Sequence, residues 1–93
     1  MPKYFQNKIA GYYLYYTKHC IVECMHAHAS DRKLTEAGSA KLFVKSNGDT
    51  EVQHQGILTD RELKIIQKYI NGHYIEMYEI WARDSEEGFY GEE

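Results

Sequence analysis

The chain has 93 residues, 43% of them apolar and 27% charged. That length suits one domain with one modest core, and the balance excludes wholesale disorder. A formal net charge of −3 does not announce a nucleic-acid-binding protein, and no apolar run approaches the roughly 20 residues of a membrane span.

Residues 9–16 read Ile-Ala-Gly-Tyr-Tyr-Leu-Tyr-Tyr. Aromatic enrichment predicts a strand, with Gly11 marking a bulge or a close backbone approach. Residues 17–20 read as a connection, and 21–29 as a second extended stretch. Residues 30–39 are polar and predict a loop, with room for a short helical turn. Residues 40–45 predict a third strand, with Leu42 and Val44 on one face. Asn47-Gly48, within Ser46–Asp49, predicts a type I′ hairpin turn, with residues 50–54 as the returning strand.

Thr59-x-x-Glu62 has the spacing of a capping box, which opens a helix. Leu63, Ile66, Ile70, Tyr74, Met77 and Trp81 follow in one stripe, which is one buried helix face. Gly72 is the one position where that helix could kink or break. Residues 84–93 are acidic and predict a frayed, flexible tail after a single domain over 1–83. Successive strands followed by a helix give an α+β fold: a three- to four-stranded antiparallel sheet with one long C-terminal helix packed on it.

The N-terminus lacks the apolar stretch of a signal peptide. The two cysteines, Cys20 and Cys24, are spaced C-x-x-x-C, which is neither a redox nor a zinc-knuckle spacing. Free thiols of a cytosolic protein are the expectation. Nine tyrosines suit half-buried strand positions and contact surfaces, because the ring buries while the hydroxyl stays wet.

Charge is uneven along the chain. Residues 1–68 hold ten Lys/Arg against seven Asp/Glu, and residues 69–93 one against seven. Lys41, Lys45, Arg61, Lys64 and Lys68 would carry any nucleic-acid contact, although a solvated mixed surface is the plainer reading.

The residues able to do chemistry are histidines. Cys24, His26 and His28 fall at alternate positions of the second predicted strand and so on one face. His73 and Glu76 are an i, i+3 pair on the flank of the helix stripe. If that flank overlies the strand, His26, His28, His73 and Glu76 would form a divalent metal site suited to zinc, iron(II) or manganese. Without metal, His26, His28 and His73 would serve as acid–base groups. Cys24 becomes a nucleophile only if His26 activates it. The plainer reading of all these side chains is hydrogen bonding and packing.

The chain resembles a set of small bacterial proteins filed as domain of unknown function 4160. The resemblance rests on Gly11 in the first strand and on Cys24-Met25-His26-Ala27-His28, where the family has Pro-Pro-His-Phe-His. It continues through residues 40–44, through Gly56-Ile57-Leu58 before the helix, and through His73 and Trp81 within it. The resemblance implies pairing with a second small protein in a toxin–antitoxin-like arrangement. An interaction module working with a protein partner is therefore the first functional expectation. A small His-based, metal-dependent or metal-free hydrolase or nuclease-like toxin is the alternative.

Overall fold

Which face of each short strand meets the helix is decided by where its small and branched apolar residues fall. In a computed structural model, which describes residues 3–17, 23–31 and 38–91, four strands form one antiparallel sheet. They are β1 (Tyr13–Tyr15), β2 (His26–Ser30), β3 (Ala40–Val44) and β4 (Thr50–His54), in spatial order β1-β2-β3-β4. One helix, α1 (Asp60–Trp81), follows them. Leu14, Ala27, Ala29, Ala40, Leu42 and Val44 form one buried cluster with Leu63, Ile66, Ile70, Met77 and Trp81. The alanines of the two central strands leave room for the helix's larger side chains, so the layers interdigitate at close range.

The N-terminal stretch departs from the expected strand over 9–16. Ile9 and Tyr12 exchange both backbone hydrogen bonds, at 2.7 and 3.0 Å, around Ala10 and Gly11. Both central residues have positive φ, 54° and 90°. This is the geometry of a two-residue type I′ turn, so Gly11 makes a hairpin where a bulge was expected. The segment before the turn runs back beside β1: Lys3 bridges Tyr15, and the Tyr4 N–H donates to the Leu14 carbonyl at 2.9 Å.

The second hairpin falls where Asn47-Gly48 placed it, with a different turn. The Gly48 N–H donates to the Lys45 carbonyl, and the Lys45 N–H to the Asp49 carbonyl. Only Gly48 has positive φ; Asn47 does not. A three-residue loop with a glycine bulge thus replaces the type I′ turn. The glycine is also needed for space, since a Cβ at Gly48 would stand 2.6 Å from the Tyr74 ring. The tip of the hairpin rests directly on the helix.

The capping box forms as read. The Glu62 N–H donates to Thr59 Oγ1 at 3.2 Å, and the Thr59 N–H donates to Glu62 Oε1 at 2.9 Å. The helix continues through Gly72 without a break for 22 residues. Its stripe remains in phase on both sides of the glycine, so packing outweighs the roughly 1 kcal/mol that Gly costs in a helix interior.

The predicted acidic tail is in fact attached to the sheet as far as Tyr90. The Trp81 indole N–H donates to the Glu87 carbonyl at 3.0 Å. The Met25 N–H donates to the Gly88 carbonyl, and the Tyr90 N–H to the Val44 carbonyl, both at 2.9 Å. Phe89 stacks on Tyr78 and Tyr90 on Phe43. The excess of acidic residues had masked these aromatic anchors. The expected connection at 17–20 and helical turn within 30–39 lie largely outside the described residues. No helix among the described residues is long and apolar enough to cross a membrane.

Ile70 is fully buried between the layers, whereas Ile75 is 55% exposed. Ile70→Ala should destabilise the fold by about 2–5 kcal/mol and Ile75→Ala by under about 0.5 kcal/mol, as read from urea unfolding midpoints.

Candidate functional site

Strand alternation sends His26, His28 and Ser30 away from the helix, because Ala27 and Ala29 face it. All three polar side chains are nevertheless buried. Tyr15, opposite His28 in the β1–β2 register, is fully buried too, yet it lies outside the helix-side core cluster. The sheet therefore buries a second, smaller layer on its far face.

His26 is at the centre of that layer. Its ring centroid lies 5.2 Å from that of His28 and 5.5 Å from those of Phe43 and Trp81. His28 packs against Tyr15 at 5.5 Å. His26 Nδ1 is 2.8 Å from the Cys24 carbonyl oxygen. Since a carbonyl only accepts, Nδ1 carries the proton and donates, which leaves Nε2 as the bare nitrogen. Nε2 is buried and has no hydrogen-bond partner among the described residues.

The charged neighbours are Glu23 and Lys41. Lys41 Nζ donates to Glu23 Oε2 at 2.7 Å, and the same carboxylate oxygen stands 3.8 Å from His26 Nδ1. The hydrogen bond from Lys41 holds the Glu23 carboxyl below its ordinary value. Burial pushes the His26 imidazole down to about 4, opposed by its backbone hydrogen bond to Cys24. Desolvation wins because Glu23, the opposing charge, is exposed, while Lys41 and His28 push the same way as burial. His26 is thus a neutral imidazole at pH 7.

The predicted site residues do not assemble. His73 lies on the helix flank, its Nδ1 donating to the Tyr69 carbonyl at 2.8 Å. Its ring stacks on Tyr69 at 4.0 Å, with Phe5 at its edge. Glu76 is exposed. Among the described residues, no group of three or more His, Cys, Asp or Glu side chains could hold a metal ion. The metal set of His26, His28, His73 and Glu76 does not form: His73 and Glu76 lie on the helix flank, and His26 meets the helix at Trp81, about two turns beyond His73. The same separation removes the acid–base trio. Cys24 precedes β2 and meets His26 through its backbone carbonyl, so the pair lacks the thiol–imidazole contact that activation requires.

A different feature was not legible from side-chain types. The sheet has two edges, and among the described residues only one is covered. Residues 3–4 pair along β1, while no described residue pairs with the outer side of β4. Lys41 pairs with His54 and Leu42 with Val52, which leaves Gln53 as an extra residue in β4. This is a β-bulge, a common guard on an exposed edge. It leaves Thr50–Val52 as the regular part. The one hint in the sequence is polarity: Thr50-Glu51-Val52-Gln53-His54 holds a single apolar residue.

Comparisons of the chain with protein-family models, with curated proteins and with solved structures give no match.

The buried neutral histidine has a consequence for stability. Above pH 6.5 His26 is neutral in both folded and unfolded chains. As pH falls from about 6.5 toward 4 the unfolded chain takes up its proton first, so stability declines; below about 4 this contribution levels off. The loss should reach about 3 kcal/mol, and His26→Leu should flatten the profile in that window, as read from urea unfolding at pH 7, 5.5 and 4.5.

Proposed function

We propose that the protein is an interaction module that takes an extended segment of a partner protein onto the free side of β4. The carrying observation is that the outer side of β4 pairs with no described residue, whereas the β1 edge is paired by residues 3–4. An open strand edge offers a row of backbone donors and acceptors whose natural complement is another strand. Added main-chain hydrogen bonds would supply affinity, and neighbouring side chains selectivity.

The resemblance described above adds the expectation that the partner is the product of an adjacent gene. The hydrolase reading has less behind it, since His73 stands apart from His26 and His28 and neither strand histidine is exposed.

Co-expression with the adjacent gene's product should give a complex of defined mass in solution. Gln53→Pro should abolish it, because proline at the bulge blocks strand pairing while being tolerated there by the fold. Gln53→Ala should leave the complex intact, and circular dichroism should show both variants folded. The absence of a complex, or a complex indifferent to a folded Gln53→Pro chain, would overturn the proposal.

A further inference from the structure

The open edge is flanked by the basic side of the helix. Gln67 Nε2 donates to Thr50 Oγ1 at 3.0 Å, and Asn71 Nδ2 to Asp49 Oδ1 at 3.3 Å. These bonds dock one flank of α1 against β4 and its hairpin. Lys68 lines the same polar groove of about 530 Å³ as Lys45, Asp49 and Thr50. At 100° per residue, Arg61 and Lys64 lie on the flank that carries Lys68, and all three are exposed.

These cations have no ion pair among the described residues, where the ion pairs to carboxylates all involve Glu23. The carboxylates nearest them take hydrogen bonds from neutral donors and keep their own charge. Asp49 accepts from Asn47 and Asn71, Asp60 from Gln55, and Glu62 from Thr59 and Tyr12. Glu51 faces the other way, hydrogen-bonded to the Tyr90 hydroxyl on the far side of the sheet. Glu62 is on the opposite face of the helix from Lys64, so Lys45, Arg61, Lys64 and Lys68 stand against Asp49 and Asp60, and the flank keeps a positive excess among the described residues.

We propose, resting on the reading of β4 as a docking edge, that its occupant is an acidic extended segment of a partner protein. Its carboxylates stand at alternate positions and face Lys64 and Lys68. The spacings agree. Side chains on one face of a strand recur about every 6.6 Å, and residues four apart on a helix are about 6 Å apart along its axis. Carboxylates on the helix-facing side meet lysines, whereas carboxylates on the far side would meet Glu51. The charge pattern thus selects a segment that is acidic on one face only. A phosphodiester backbone would satisfy the lysines but not the backbone groups of β4, so the combination favours a peptide.

The test is a titration of the isotopically labelled full chain, followed through backbone amide NMR shifts at millimolar ligand. The probes are an end-blocked peptide of about eight residues alternating Asp and Val, its Lys-Val counterpart, and a short oligothymidylate. The Asp-Val peptide should shift the amides of Thr50–Val52. Lys64→Glu combined with Lys68→Glu should weaken that response roughly tenfold, and added salt should weaken it as well. Equal binding of the Lys-Val peptide at β4 would overturn the acidic preference and leave the docking edge standing. No response of β4 to either peptide would overturn both readings. Oligothymidylate shifting Lys64 and Lys68 more strongly than the peptide, with β4 amides unmoved, would make the flank a phosphate-binding surface and overturn the proposal.

Discussion

The arrangement of both ends of this molecule depends on one indole. Trp81 is fully buried at the last turn of the helix, where it touches Tyr16 on the helix side of the sheet and His26 at the start of β2. Its single polar atom must be satisfied, and the Glu87 carbonyl does this only because the chain turns back sharply after the helix. That reversal delivers Gly88 to Met25 and Tyr90 to Val44. The hydroxyl of Tyr16, donating to Asp84 at 2.5 Å, closes the same corner, and burial with this acidic partner holds Tyr16 far above its ordinary range. Helix end, strand and C-terminal segment are thus joined at one polar–aromatic node.

With that corner closed and the β1 edge paired by residues 3–4, the outer side of β4 is the sheet edge that no described residue pairs with. The far face is spent on the layer of Tyr15, His26 and His28, and the near face on the helix. Side chains with catalytic chemistry are therefore mostly used for packing, and the surface that remains available is defined by backbone groups and by the lysines beside them.

Much of the architecture was legible in the sequence because it is governed by periodicity. The stripe from Leu63 to Trp81 and the Thr59–Glu62 pair gave the helix, and Asn47-Gly48 located a hairpin. The turn type was not legible, because Asn-Gly fits both a type I′ turn and the tip of a three-residue loop; contact with Tyr74 accompanies the second. Ala10 at positive φ hid the first hairpin, since the position gives no glycine signal. Whether the histidines converge was not legible, for a geometric reason. Alternation correctly put His26 and His28 on one face, but alternation does not say which face the helix covers. The intervening alanines answer that question: small residues at every second position mark where a helix lies close. Phe89 and Tyr90 were overlooked because charge dominated the composition around them.

The contact between Met25 and Gly88 has a bearing on how the chain is made. Strands that neighbour one another in space also follow one another in sequence, so each can pair with its predecessor soon after synthesis, and the entropic cost of each such closure is small. The node at Trp81 breaks that order. It links residues more than sixty positions apart, and it cannot form until the chain has been synthesised through Tyr90. A nascent chain would therefore hold a nearly complete sheet whose second layer is still open at the start of β2. During that interval the Met25 N–H lacks the Gly88 carbonyl that it meets in the finished fold, and the closing segment supplies it only at the end.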